Sequence, residues 1–502
     1  MKNKLFIKSC MATVALILAT GCSDSFLDTE NPGKLAVPEF YLTDADALQA
    51  TTAVYDMMQS EYVWGFASVL MLKTMPSDES NAAGASAGDQ PGYQTLDKFN
   101  FDSENDIILK VWRTIYYSIN RANQVINRVA PESDLRKRLI AEAKVLRAYN
   151  YFDLVSLWGE VPLILNDLTP AEFTTQKRAS VADVYAQIEK DLTEAIPLLP
   201  LKDAYSTADK FRVSKGTAQA ILGKAYLYQE KWGQAATQFN EVITSGQYDL
   251  EQNFGFVFSK NGEFGQESLM EVSYTDQTGS GRARESNQYI QLMGIKATHY
   301  TMAPGDSLAG GGWAFNSPTL KLYNAFVNAG DVDRRKHTVM SVDDLRAMGG
   351  DWNNPDYYEF EGVIRRKYGN YLTESSLNNG SSISNNYLTN WRYIRYADVL
   401  LMAAEAYYRA DDEVSARREL NKVRDRANLP DILDTGDALF EAIVVERQLE
   451  LALEGARYPD LIRWGRAAQE LGPLGFIAGK HELLPIPNDD VRSGGLAQNP
   501  NY

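Results

Sequence analysis

Paired carboxylates are the residues of this chain best suited to chemistry. Asp78-Glu79, Asp331-x-Asp333 and Asp489-Asp490 each set two acids close together, as a glycosidase requires for its acid and its base or nucleophile. With 66 acidic residues in the chain, such doublets also arise by chance. Asp331-x-Asp333 has the opening of a calcium loop, but Arg334 and Arg335 stand where further ligands belong. His299, His337 and His481 are scattered, and the zinc-protease pattern that begins at His481-Glu482 meets Pro485 at its second histidine. Gly223-Lys224 is followed by Ala225 and lacks the earlier glycine of a phosphate loop, and Gly279-Ser280-Gly281 lacks the third glycine of a dinucleotide turn. Glu446, Glu450 and Glu454 recur every four residues beside Arg447. That spacing predicts an ion-pair seam, with Arg457 and Arg463 as partners, more readily than an acid cluster for catalysis. The expectation is a protein with no catalytic residue, no metal and no cofactor.

Thiol chemistry is confined to one position. Lys2, Lys4 and Lys8 precede an apolar run from Met11 to Ala19, which is too short to span a bilayer and reads as a signal peptide. Ala19-Thr20-Gly21-Cys22 then gives the small-residue approach to a lipidated cysteine, although Leu18 sits four places before Cys22 where a strong lipobox has Leu at three. Cleavage after residue 21 is expected to remove Cys10 and leave Cys22 as the single cysteine, its sulfur thioether-linked to lipid. Residues 1–21 are therefore expected to be leader, 22–43 a tether containing Pro32, Gly33 and Pro38, and 44–502 a single domain. Loss of three lysines and no acids takes the net charge from −16 to −19. So acidic a surface repels phosphate backbones, which argues against nucleic-acid binding.

Helical periodicity organises the rest. Amphipathic segments are predicted at about 44–60, 106–130, 134–158, 180–199, 214–230, 232–246, 387–409, 412–428, 437–457 and 459–471. Leu222, Gly223, Tyr226, Ala235 and Phe239 fall on the tetratricopeptide register, as do Ala404, Tyr407, Ala416 and Leu420, with Leu192, Ala195 and Pro200 at the closing positions of a third pair. Small residues let paired helices approach, and aromatics fill the gaps between pairs. The predicted fold is dominated by α-helix: a tetratricopeptide-type helical repeat scaffold carrying large, irregular, loop-rich insertions. These insertions lie at about 61–105 and 250–386, where Gly, Asn, Ser and aromatics replace helical period, and Leu269–Tyr274 reads as a small strand.

Several blocks resemble the SusD/RagB family of Bacteroidetes outer-membrane lipoproteins. Leu146-Arg147-Ala148-Tyr149 leading to Leu157-Trp158-Gly159-Glu160-Val161-Pro162-Leu163 is similar to one family signature. Ile394 to Leu401 with Ala404-Glu405-Ala406 is similar to a second, and Asn421 to Ala427 follows it. Glu446-Arg447-Gln448-Leu449-Glu450-Leu451-Ala452, running to Asp460-Leu461-Ile462-Arg463-Trp464-Gly465, is the most specific block. Leu484-Pro485-Ile486-Pro487 and Gln498-Asn499-Pro500 close the set. The chain departs from the pattern at Ser493-Gly494-Gly495 and at Asn501.

The resemblance implies a lipoprotein at the cell surface that captures a glycan, or in some members a peptide, and delivers it to a SusC-like TonB-dependent transporter. It places the ligand on the irregular insertions and the transporter against the helices. Sugar capture needs aromatic faces for the rings and side chains that hydrogen-bond hydroxyls. Trp64, Tyr93, Tyr289, Tyr300 and Trp313 are the expected platforms, with Asp78, Asn81, Arg282 and Asn287 as polar partners. Trp112, Trp158, Trp232, Trp391 and Trp464 lie on repeat or signature segments and are assigned to packing.

Overall fold

The protein is described by a computed structural model at residues 40–60, 67–275, 286–296, 299–353, 358–376 and 387–502. Ten helices build the scaffold: α1 (Asp44–Ser60), α2 (Asp106–Arg128), α3 (Asp134–Trp158), α4 (Val181–Ala195), α5 (Lys215–Tyr228), α6 (Trp232–Thr244), α7 (Tyr396–Arg409), α8 (Glu413–Arg426), α9 (Gly436–Glu450) and α10 (Arg457–Arg463). Their starts follow from side-chain caps. Asn105, Ser133, Ser180, Ser214 and Asp412 each accept a backbone N–H of the following turn. Successive helices pack on one another, α2 on α3, α3 on α4, α5 on α6 and α7 on α8. The contact of α6 with α7 continues this series although some 150 residues separate them in sequence. The repeat is thus interrupted in the chain and continuous in space. Among the described residues, no helix is long and apolar enough to cross a membrane.

The register of the repeat is physical. Ala235, Phe239, Ala404, Ala416 and Leu420 are fully buried. A Cβ on Gly223 would stand 2.6 Å from the Phe239 ring, so only glycine lets α5 approach α6 this closely. Gly223→Ala is expected to destabilise the protein by about 1–3 kcal/mol through overpacking, despite alanine's better helix propensity of about 1 kcal/mol. A urea titration of the purified variant measures it.

Three boundaries differ from the sequence expectation. The helix predicted from 387 begins at Tyr396. Trp391–Arg395 is instead a strand (β2) that pairs antiparallel with β1 (Ser268–Val272), from Trp391 opposite Val272 to Arg395 opposite Ser268. The segment predicted to continue to 457 stops at Glu450, because Leu453 and Gly455 take left-handed backbone angles and the Leu453 N–H donates to Glu79. The last predicted helix breaks at Gly465, also left-handed. The insertions hold more regular structure than expected. They contain short helices at Val69–Thr74, Pro91–Asp97, Gln288–Met293, Leu320–Asn328, Val332–Thr338 and Val342–Ala347, together with two- and three-residue ribbons. A separate apolar cluster around Trp352, Leu345, Leu308 and Ile364 gives the second insertion its own core.

A buried charge cluster joins that insertion to the scaffold. Glu450 accepts from Arg334 of the insertion at 2.9 Å, from Arg395 of β2 and from Arg426 of α8. Glu446 takes Arg334 at 2.6 Å and Arg424 at 2.8 Å, and Glu454 takes Lys367 and Arg395, each at 2.8 Å. The ion-pair seam predicted from the every-fourth glutamates is therefore present with different partners. Arg457 pairs with Asp78, and Arg463 with Glu405 and Asp460. Arg447 is shared by Asp398 and Asp460.

Candidate ligand-binding surface

Three segments distant in sequence meet at the edge of the second insertion. The ribbon formed by Ser80–Asn81 and Ser317–Pro318 brings the first two together. Beyond it the Gly84 N–H donates to the Ala314 carbonyl at 3.2 Å, and the Tyr358 N–H donates to the Gly84 carbonyl at 3.1 Å. Gly84 sits at φ +80°, and a Cβ there would meet the Phe315 ring at 2.8 Å, so the close approach depends on glycine. The Asn81 amide locks the third segment by donating to the Glu359 carbonyl at 3.2 Å and to Glu361 Oε1 at 2.6 Å.

Trp313 stands at the centre of this junction. Its N–H donates to the Gln291 carbonyl at 2.9 Å, and Gly311 and Gly312 both donate to the Ile295 carbonyl. A Cβ on Gly312 would lie 2.1 Å from the Gly294 carbonyl carbon, so the loop carrying Trp313 is pressed onto the helix end beneath it. Ala83, Gln90, Ala314, Asn316 and Glu359 all take φ between 48° and 62°. Left-handed backbone at non-glycine residues costs about 1–3 kcal/mol each and persists where the surroundings over-determine it, often at binding sites.

The resulting surface carries two aromatic side chains, Trp313 half-buried and Tyr358 38% exposed, beside the exposed loop 85–88. Asn81, Asp89, Gln90 and Glu361 supply amide and carboxylate groups around them, and Lys98 pairs with Glu359 at 2.8 Å. Flat apolar faces rimmed by hydrogen-bonding groups are what a neutral, hydroxyl-rich ligand requires. Tyr358 was absent from the sequence candidates. Its signal is the aromatic run Tyr357-Tyr358-Glu359-Phe360 after the turn residues Asn353-Asn354-Pro355.

The other predicted ligand residues fall in several places. Asn81 and Trp313 come together as described. Tyr300 is half-buried elsewhere in the insertion, its hydroxyl donating to the Leu308 carbonyl at 2.9 Å and its ring edge-on to Trp352. Tyr93, expected to be exposed, is fully buried with its ring 5.7 Å from Phe315, beneath the surface rather than on it. Tyr289 is buried against Trp391, and Asn287 is buried because it caps the Gln288–Met293 helix and donates to the Thr389 carbonyl. Asp78 is buried too, its carboxylate accepting from Nε and Nη2 of Arg457, each at 2.9 Å, and from Lys321 at 2.7 Å. These four are corrected to packing and pairing roles, since a ligand reaches none of their side chains in this arrangement. Trp64, Arg282 and Cys22 lie outside the described residues.

The carboxylate doublets are engaged in the same way. Asp331 caps the Val332–Thr338 helix and pairs with Arg334, Asp333 pairs with Lys336, and Asp489 pairs with Arg113. Burial would raise Asp78, but Arg457 and Lys321 hold it below the usual carboxylate range. Burial drives its neighbour Glu79 the other way, to about 8, against the opposing pull of Arg457. A carboxyl whose folded pKa lies above its unfolded value weakens the fold as pH rises, with no effect below about 4.5 and the full effect above about 8. Glu79→Gln is therefore expected to raise the melting temperature progressively across that window and to leave it unchanged at the acid end. Paired thermal melts against pH check it.

Comparison with known proteins follows this geometry. Residues 345–482 match a family model described as the SusD family, and residues 25–227 match one described as starch-binding, associating with the outer membrane. SusD-like protein P2 of Formosa agariphila is 30% identical across 97% of this chain and 98% of its own length. A laminarin-binding SusD-like protein of known structure is 34% identical with a TM-score of 0.82, covering 91% of this chain and 99% of that one. Surface glycan-binding protein A from Bacteroides thetaiotaomicron is 25% identical with a TM-score of 0.79, covering 92% and 100%.

Proposed function

From the premise that this chain belongs to the SusD family, we propose that it is a glycan receptor which takes its ligand on the surface around Trp313 and Tyr358. The observation that carries the reading is the convergence of the 81–90, 311–316 and 358–361 segments, which fixes two aromatic faces beside amide and carboxylate groups. Pyranose rings present an apolar C–H face to such aromatics while their hydroxyls reach the polar rim. The 34% identity to a laminarin-binding relative makes a laminarin-type glucan the first ligand class to test. The receptor is attached to the outer membrane through Cys22, with residues 22–43 as its tether and 44–502 as one domain, and it hands ligand to a SusC-like transporter. Binding is its whole activity, because the role needs no bond to be broken, and Asp78, Asp331, Asp333 and Asp489 of the acid doublets serve ion pairs.

Affinity electrophoresis and calorimetry against laminarin, other α- and β-glucans and a peptide panel test this. Binding to a glucan is expected. Binding to peptides with none to any polysaccharide would replace the glycan reading with peptide capture. Release of shortened sugars by the purified chain would contradict the non-catalytic reading.

A further inference from the structure

Lys224, which lacks the surroundings of a phosphate-loop lysine, lines a cavity of about 60 Å³ that the ligand-binding reading does not use. The cavity lies where the first insertion, the scaffold and the C-terminal block meet. The helix Val69–Thr74 contributes Lys73 to its walls, α5 Lys224, β2 Arg392 and Arg395, α7 Asp398, and the turn after α9 Glu454. Four cations thus face two carboxylates. A Cβ on Gly455 would stand 3.1 Å from that of Lys73, so the turn is pressed against the helix beside the cavity. Solvent reaches the space, since the side chains of Lys73 and Lys224 are 15% and 25% exposed.

These charges are unevenly satisfied. Arg395 pairs with Glu267, Glu450 and Glu454, Arg392 with Glu271, and Lys73 with Asp153. Glu454 also takes Lys367, and Asp398 takes Arg447 at 3.0 Å. Lys224 is the exception. Among the described residues its ammonium makes no hydrogen bond. The Asp398 carboxylate stands 3.8 Å away, beyond hydrogen-bond reach, and the Phe152 ring lies 5.8 Å off. Burial holds the Lys224 pKa below the ordinary lysine value, and the like charges of Lys73 and Arg447 add to that against the pull of Asp398.

We propose that the cavity binds one small monovalent anion of halide size, held by the Lys224 ammonium and facing Lys73. The size agrees. A single water needs roughly 10–15 Å³ of such space, so the cavity takes a few water-sized groups and no sugar ring. The charge agrees as well, because one cation without a hydrogen-bonded acceptor calls for one negative charge. An anion there joins α5 to the Val69–Thr74 helix and to the turn after α9, and stabilises the fold by mass action.

Thermal melts at constant ionic strength, with sodium gluconate replaced stepwise by sodium chloride, test this, because gluconate is too large for the cavity. The melting temperature of the parent is expected to rise by about 1–2 °C between no chloride and ~200 mM chloride. Lys224→Met keeps an unbranched side chain without the charge, and should lose that rise. A crystal of the mature chain grown in sodium bromide should show an anomalous peak beside the Lys224 ammonium. Equal chloride responses in the parent and in Lys224→Met overturn the proposal. So does a bromide-grown crystal with water alone in the cavity, a result that does not depend on the variant folding or on laminarin being the ligand at Trp313.

Discussion

Glu450→Ala is expected to destabilise the protein by about 3–5 kcal/mol, the cost of removing the carboxylate that three buried guanidiniums share. Arg334, Arg395 and Arg426 would each lose one of their carboxylates, with Glu446, Glu454 and Glu267 left to balance them and almost no solvent to help. Against a net stability of about 5–15 kcal/mol that is a large fraction, and much of the variant should be unfolded or aggregated on purification. Urea titration followed by circular dichroism measures the loss. Glu441→Ala serves as the comparison, since its ion pair with Arg466 is largely exposed and should contribute less than about 1 kcal/mol. The cluster also sets an acid limit. Burial would raise the Glu450 carboxyl, but Arg426, Arg395 and Arg334 outweigh it and hold the group well below the ordinary range. Its contribution is fully present above the unfolded pKa near 4.5 and is lost only as pH falls through the lower folded value, so the second insertion should detach from the scaffold only in strong acid.

The second large effect concerns binding. Trp313→Ala combined with Tyr358→Ala is expected to weaken glucan binding by about 2 kcal/mol or more, roughly thirtyfold in Kd, because aromatic anchors carry most of the energy at such surfaces. Trp313→Phe in the single-variant form should recover a substantial part of it by restoring a ring face. Calorimetric titrations of the three proteins give the comparison. Thermal melts alongside separate lost binding from lost structure, since Trp313 is half-buried and packs partly on the core.

The repeat was legible because its determinants are local. Gly223 and Phe239 meet across one helix pair, and their spacing alone places them. The strand at Trp391–Arg395 was hidden because its partner, Ser268–Val272, lies more than a hundred residues earlier, and an apolar run beside a helix start reads as helix without it. Asp78 suggested chemistry because Arg457 is 379 positions away, so nothing nearby revealed the ion pair that employs it. Tyr93 and Tyr289 misled for the same reason. Small or polar neighbours suggest exposure for Tyr93, and a place in the irregular insertion suggests it for Tyr289, whereas Phe315 and Trp391 bury them in space. Trp313 and Asn81 were candidates by residue type, but their convergence with Tyr358 depends on backbone bonds to Gly84 that no spacing encodes.

The location of the ligand is the central claim, and hydrogen exchange of the mature chain with and without saturating laminarin oligosaccharide tests it most directly. The account predicts slowed exchange in the amides of 82–90, 311–316 and 358–361, with the helical repeats unchanged. Protection confined to the repeat helices, with those three segments exchanging as they do in the free protein, would contradict it.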